Sequence, residues 1–262
     1  MAPSPGWEFW TWRSLSKPFA NGLPPLSPDP KYKIAFASRA PIVCYVTDSK
    51  GLAAADPSDA VISSIRSAVA AGVDWVQIRE KDSSSREALA LVTKAIGVAE
   101  QFRDVRPDPA RVLMNDRLDV ALAAGAAGVH LGRESAPAAE VVRWCRDGNA
   151  PAEFLIGVSC HSVAEVRVAE AAGASYAIFG PIFDTPSKSR FGPPQGVAKL
   201  REACSAVRIP VIAIGGVDER NAAECVRAGA LGVAAIRLFQ GPGDPKSLAE
   251  RVATLHELRA RA

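Results

Sequence analysis

Arg79 and Lys81 follow the apolar run Trp75-Val76-Gln77-Ile78 on alternate positions, with Gln77 in the same phase. Period-two alternation puts the three side chains on one side. A guanidinium and an ammonium so close together suit the oxygen cluster of a di- or triphosphate. Taken alone, the pair also reads as a solvated strand end mixed with Glu80. Asn115-Asp116-Arg117 follows a second apolar run. A carboxylate beside basic groups suits Mg²⁺ held jointly with phosphates. The competing reading makes Asn115 or Asp116 the N-cap of a short helix through Ala121. Glu134, four residues past His130, reads as a surface residue or a metal-side carboxylate. His130 has no second histidine at ligand spacing, so it is expected to pack at a rim rather than bind metal.

Further along, Ser159-Cys160-His161-Ser162 offers a hydroxyl donor for a phosphate and a histidine. His161 reads as either a cap-region residue or a proton shuttle. Cys160 has no base aimed at it beyond its neighbour, so a thiol nucleophile is not expected. The stretch from Gly180 to Gly196 is rich in proline and glycine and carries Thr185, Ser187 and Lys188. A loop of that length in a compact domain is usually functional, and two hydroxyls with one cation form another phosphate-type set. The run Pro210-Val211-Ile212-Ala213-Ile214 ends in Gly215-Gly216, with a polar, helix-like stretch from Asp218. Two residues without Cβ before a helix start leave backbone N–H groups open to an anion. Ile236-Arg237 closes the last apolar run, and alternation leaves open whether Arg237 faces the glycine pair or the helices.

These residues need a scaffold that gathers strand ends. Helix-ending glycines followed by short apolar strands recur at Gly72, Gly125, Gly173 and Gly229. Their spacing of roughly 50 residues is what two βα units occupy in an eight-strand barrel of about 200 residues or more. The repeat marks the even strands. The odd ones fall at Ile42 to Thr47, Arg111 to Met114, Phe154 to Ser159 and Pro210 to Ile214, with amphipathic helices such as Ser85 to Phe102 and Ser162 to Ala172 between strands. The fold class is therefore α/β, a single (β/α)8 TIM barrel over residues 41–262. An open doubly wound sheet is the runner-up. In a barrel the active groups sit at the C-terminal strand ends, and the loops after strands seven and eight commonly hold phosphate.

Residues 1–40 read as a flexible extension, because prolines from Pro3 to Pro30 break any regular pattern; an arm packing on a second subunit is the sharper alternative. The net charge of +3 argues against a nucleic-acid protein with a broad basic face. No apolar run approaches the roughly 18 residues of a membrane span. The start lacks a basic segment followed by an apolar stretch, so no secretory signal is expected. The 5 cysteines are scattered, with no metal-ligand or redox spacing, and read as reduced thiols in a cytoplasmic protein. The implied partners are phosphorylated small molecules, not nucleic acid or membrane; a homo-oligomer is compatible with the chain.

Six strings in order are similar to the thiamine-phosphate synthase family and its relative, thiazole tautomerase: Gln77-Ile78-Arg79-Glu80-Lys81, Asn115-Asp116-Arg117, Gly128-Val129-His130-Leu131-Gly132, Gly157-Val158-Ser159, Gly180-Pro181-Ile182-Phe183 and Ile214-Gly215-Gly216-Val217. The resemblance covers about residues 41 to 258 and implies a βα barrel that joins a pyrimidine diphosphate to a thiazole phosphate and expels pyrophosphate. By the same resemblance, Arg79, Lys81, Ser159 and Lys188 hold the diphosphate. Gln77 and Asn115 meet the pyrimidine, and Asp116 is a Mg²⁺ ligand. Thr185 and Ser187 lie beside the thiazole, whose phosphate meets the backbone of Gly216 and Ile236. Cleaving the C–O bond leaves a pyrimidine cation and a highly charged leaving group, which cations stabilise. The thiazole nitrogen needs no general base.

Three positions depart from the synthase pattern: Ser135 replaces a second metal carboxylate, Arg133 a glutamine and Arg237 a serine. Glu134 or water could substitute for the lost ligand, and Arg237 could strengthen phosphate binding. The tautomerase needs neither diphosphate nor metal, and His161 matches its proton-transferring histidine; the synthase branch often keeps that histidine too. A phosphate-ligand sensor without turnover is the third reading. Retention of Arg79, Lys81, Asp116 and Lys188 favours the synthase.

Overall fold

The structure is a computed structural model that describes residues 41–52, 56–106, 108–185, 193–240 and 244–258. The expected extension over 1–40, and Ser187 and Lys188, lie outside the described residues. Eight parallel strands form a closed barrel: β1 (Ile42–Val46), β2 (Trp75–Ile78), β3 (Arg111–Asn115), β4 (Gly128–Leu131), β5 (Leu155–Cys160), β6 (Tyr176–Phe179), β7 (Val211–Ile214) and β8 (Gly232–Ala235). β8 pairs with β1 in the register Cys44–Ala234, which closes the cylinder and excludes the open-sheet alternative.

Helices alternate with the strands: α1 (Pro57–Ala71), α2 (Ser85–Glu100), α3 (Leu118–Ala124), α4 (Ala138–Trp144), α5 (Val163–Ala171), α6 (Gly196–Ala206), α7 (Ala222–Arg227), the short α8 (Arg237–Gln240) and α9 (Pro245–Glu257). Local chemistry sets their ends. Asp56 caps α1 through the N–H groups of Ser58 and Asp59, with Pro57 in the first turn where no N–H is needed. Ser84 and Glu87 form a capping box at α2. The four repeat glycines all have positive φ and turn the chain from helix into strand, as at Gly72 (φ 106°) after α1. No described helix is long and apolar enough to cross a membrane.

Alternation splits the strand residues between two cores. Val43, Tyr45, Val76, Ile78, Met114, Val129 and Phe179 pack outward with helix residues such as Ile65, Val92 and Leu200. A smaller cluster, including Cys44, Trp75, Leu113, Leu155, Tyr176 and Ile212, fills the cylinder. The barrel is therefore a packed core with its polar groups pushed to the ends. At the N-terminal end, buried Asp74 accepts the Val43 N–H at 2.8 Å and His256 Nε2 at 2.9 Å, and Arg106 lies 3.7 Å away. This ties α9 to the barrel floor. All 5 cysteines are free.

Candidate active site

In β2, β3, β4 and β5 the inward phase ends in a polar residue toward the C-terminal mouth: Gln77, Asn115, His130 and Ser159. Gln77 continues the series begun by Trp75, and Asn115 continues Leu113. Gln77 Nε2 donates to Asn115 Oδ1 at 3.0 Å. Gln77 is buried, and its Oε1 is the one buried side-chain polar atom among the described residues without a hydrogen-bond partner. An unpaired buried acceptor costs about 1–3 kcal/mol, so this oxygen is set up for a donor carried by a ligand. Asn115 is thus committed to Gln77, and α3 has no side-chain cap at all. The N-cap reading of Asn115 and Asp116 fails for that reason.

Asp116 is the sole non-glycine described residue with positive φ (69°). Its N–H donates to His130 O at 2.8 Å, while its exposed carboxylate accepts no hydrogen bond among the described residues. Asp and Asn tolerate this conformation best, yet it is uncommon and concentrates at functional sites. Ser135 Oγ accepts the Gly132 N–H at 2.7 Å and closes the turn after β4, in which Glu134 is exposed. No cluster of three His, Cys, Asp or Glu side chains exists among the described residues. A free hard-oxygen carboxylate fits Mg²⁺, which is commonly bound by one or two carboxylates plus substrate phosphates and water.

His130 does not pack at the rim. It points into the cylinder, 1 % exposed, with Nε2 2.8 Å from Ser159 Oγ and Nδ1 3.2 Å from Tyr176 Oη. Burial first, and the Arg79 charge second, push its pKa down to about 3, so the ring is neutral. Arg79 is half-buried, and its N–H donates to Thr47 Oγ1 at 2.9 Å. Glu80, set aside in the sequence as a surface charge, locks this corner: it accepts the Thr47 hydroxyl at 2.7 Å and the Ser49 N–H at 3.0 Å. Lys81 is exposed in the following turn at the same end.

His161 Nδ1 lies 2.5 Å from Gly180 O, and the His161 N–H donates to Glu165. The N-cap of α5 is Ser162, not His161. The imidazole is therefore pinned against the β6 loop by one nitrogen. Cys160 is buried, and burial pushes its thiol up to about 12, which removes it as a nucleophile at neutral pH.

Gly215 and Gly216 have φ of 97° and 67°. A Cβ on Gly215 would sit 2.5 Å from Pro181 Cβ, and one on Gly216 2.7 Å from Asp184 O. The β6 loop fills that side, held by Ile182 N–H to Ile214 O and Phe183 N–H to Gly215 O. Neither glycine N–H is engaged among the described residues. The expected helix start at Asp218 is corrected: α7 begins at Ala222. Asp218 instead makes a tight turn, accepting the Arg220 N–H while Asn221 accepts its own N–H and donates to Gly216 O. Any anion here meets loop N–H groups rather than a helix end. Arg237 opens α8, and its guanidinium donates to Thr185 Oγ1 at 3.2 Å. It thus faces the β6 loop beside the glycine pair, the side that alternation left open. Ile236, inward with Ala234, packs at the top of the inner core.

Separate contacts are thus spaced around the mouth: Thr47 with Glu80, Gln77 with Asn115, His130 with Ser159, His161 with Gly180, and Thr185 with Arg237. Sequence reasoning missed Tyr176, Thr47 and Asn221. The phase of Tyr176 with Ile178 was a signal that it lies inside the barrel.

The thiamine monophosphate synthase family matches residues 43–239. A thiamine-phosphate synthase of Methanoculleus marisnigri is 42% identical over 192 residues, covering 72% of this chain and 86% of that one. One from Roseiflexus sp. (strain RS-1) is 36% identical over 244 residues, covering 92% and 96%. The solved thiamine phosphate pyrophosphorylase of Pyrococcus furiosus superposes with a TM-score of 0.69 at 28% identity, covering 83% of this chain and 96% of that one. With an ordered set of motifs, a closed barrel and these relatives in agreement, the chain belongs to the thiamine monophosphate synthase family.

Proposed function

We propose that this chain is a thiamine-phosphate synthase, a transferase that joins hydroxymethylpyrimidine diphosphate to thiazole phosphate and releases pyrophosphate. The observation that carries this reading is the polar sector from Gln77 to Ser159 set beside the free N–H groups of Gly215 and Gly216. It provides two unlike binding poles at one mouth.

Gln77 and Asn115 are assigned to the pyrimidine, with Gln77 Oε1 accepting from its amino group. Arg79, Lys81, Ser159 and Lys188 are assigned to the diphosphate. Their charges and the Ser159 hydroxyl favour the leaving group as negative charge builds on it, which is differential stabilisation of the transition state. Asp116, with Glu134 as a second carboxylate, would hold Mg²⁺; the metal supplies Lewis-acid charge to the diphosphate oxygens. The backbone of Gly216 and Ile236, with Arg237, takes the thiazole phosphate, and Thr185 and Ser187 line the thiazole. The C–O bond breaks with its electron pair leaving on the diphosphate, and the lone pair of the thiazole nitrogen then bonds to the pyrimidine methylene cation. His161 donates from Nδ1 to a carbonyl and is left to orient the β6 loop.

Incubating the chain with both phosphorylated halves and Mg²⁺ should yield thiamine phosphate, read by oxidation to a fluorescent thiochrome. Failure to form it, together with metal-independent isomerisation of a thiazole carboxylate phosphate, would replace this reading by the tautomerase.

A further inference from the structure

Three strands meet at a buried contact in which Ser159 has a binding role above and its two partners, His130 and Tyr176, have none. His130 of β4 touches Ser159 of β5 through Nε2 and Tyr176 of β6 through Nδ1. The contact exists because residue 157 has no side chain. A Cβ there would lie 2.1 Å from Tyr176 Cζ, 2.4 Å from its Oη and 2.6 Å from His130 Nδ1. The Trp75 ring stands edge-on to Tyr176 at 4.8 Å and fixes the phenol from the other side. Tyr176 is 0% exposed, and among the described residues its hydroxyl has no partner except His130.

Hydrogen-bond accounting then sets the direction of every proton. A buried phenol O–H needs an acceptor, and His130 Nδ1 is the one available. Tyr176 therefore donates and Nδ1 carries no hydrogen. The imidazole hydrogen sits on Nε2 and is donated to Ser159 Oγ. Ser159 accepts from the ring, so its own O–H is turned away from His130. Ser159 is half-buried at the mouth, where the remaining direction is the ligand space. The opposite arrangement would leave the Tyr176 hydrogen buried without an acceptor.

We propose that Tyr176 is a positioning residue which, through His130, holds the Ser159 hydroxyl as a committed donor toward the departing diphosphate. The proposal deepens the synthase reading and rests on it for the identity of the acceptor. The relay moves no proton during the reaction; it fixes an orientation before the charge develops, which is how a preorganised donor acts. Losing that orientation should slow the chemical step while ground-state binding persists.

The test is Tyr176→Phe, which keeps the ring and removes the donor. The expected result is a fall in kcat of about tenfold, typical of a weakened transition-state hydrogen bond, with both KM values within about twofold. In a Ser159→Ala background the same change should have no further effect. The imidazole ¹⁵N spectrum gives an independent reading, and the chain's 3 histidines make assignment practical. His130 should show a neutral ring with hydrogen on Nε2 in the wild type, and should lose that single tautomer in Tyr176→Phe. Hydrogen on Nδ1 in the wild type, an unchanged kcat, or an equal loss in both backgrounds would overturn the relay. A folded wild type without turnover would remove the synthase reading instead, and the spectrum would still decide the wiring.

Discussion

Gln77 donates to Asn115 at 3.0 Å, and this bond fixes which end of the Gln77 amide faces the cavity. The carbonyl end is left buried and unpaired. A ligand N–H that meets it recovers the desolvation cost of about 1–3 kcal/mol, a factor of roughly 5 to 150 in binding. Gln77→Met should therefore raise the KM for the pyrimidine substrate by about fivefold to 150-fold and leave the thiazole KM unchanged. The apo protein should melt at nearly the same temperature, because the variant removes an unpaired oxygen as well as a bond. Steady-state kinetics with each substrate varied in turn checks this; equal changes in both KM values would contradict it.

The Arg237 guanidinium reaches Thr185 beside the glycine pair proposed to take the thiazole phosphate. Arg237→Ser should raise the KM for that phosphate about fivefold to thirtyfold, the range for one exposed charge-assisted contact. The effect should shrink as salt rises, since the side chain is exposed and screened. An effect confined to the diphosphate substrate would place Arg237 elsewhere.

Gly216→Ala should cost about 1–3 kcal/mol of stability. The new Cβ must occupy a φ of 67° and lie 2.7 Å from Asp184 O. Urea unfolding should show a lower midpoint with little change in slope, and thiazole-phosphate binding should weaken because the β6 loop is displaced. A variant as stable as the wild type would mean that this loop is not packed against the glycine pair.

The low pKa of His130 has a signed consequence for stability. The folded value is pushed down to about 3 from an ordinary 6.5, mainly by burial. The unfolded chain therefore binds a proton between these values while the folded chain does not. This contribution is fully present above pH 6.5 and is lost as pH falls toward 3, with a slope near 1.4 kcal/mol per pH unit. His130→Asn should flatten the pH dependence of unfolding free energy between pH 6 and 4 relative to the wild type, by up to about one proton. Parallel curves for the two proteins would show that the ring titrates normally in the fold.

Cys160→Ala should keep turnover within about twofold, because a thiol pushed up to about 12 contributes almost no thiolate at neutral pH. Steady-state rates of the two proteins settle this, and a loss of a hundredfold would return Cys160 to the chemistry.

The barrel was legible because its signals are local. Gly72, Gly125, Gly173 and Gly229 mark helix ends by backbone conformation alone, and all four adopt it. Alternation likewise put Gln77 in phase with the strand end, whereas Asn115 stayed open between the site and a helix cap until its bond to Gln77 settled it. What stayed hidden depends on contacts between strands distant in sequence. Nothing near Glu80 says that it will bond Thr47 and Ser49, 33 and 31 residues away. His130 looked like a rim residue because its partners, Ser159 and Tyr176, lie 29 and 46 residues further on. The helix expected at Asp218 gave way to a turn because Asp218 and Asn221 side chains compete for the backbone groups that a helix would use.

In the proposed reaction the cations and carboxylate at this mouth drive pyrophosphate off the pyrimidine half for capture by the thiazole half. Pyrophosphate release, measured with both halves present and with each omitted, tests it most directly. One pyrophosphate per thiamine phosphate is expected, with a Mg²⁺ dependence that a chelator abolishes and a severe loss of rate in Asp116→Ala. No release at any Mg²⁺ concentration, or an unchanged Mg²⁺ dependence in Asp116→Ala, would contradict it.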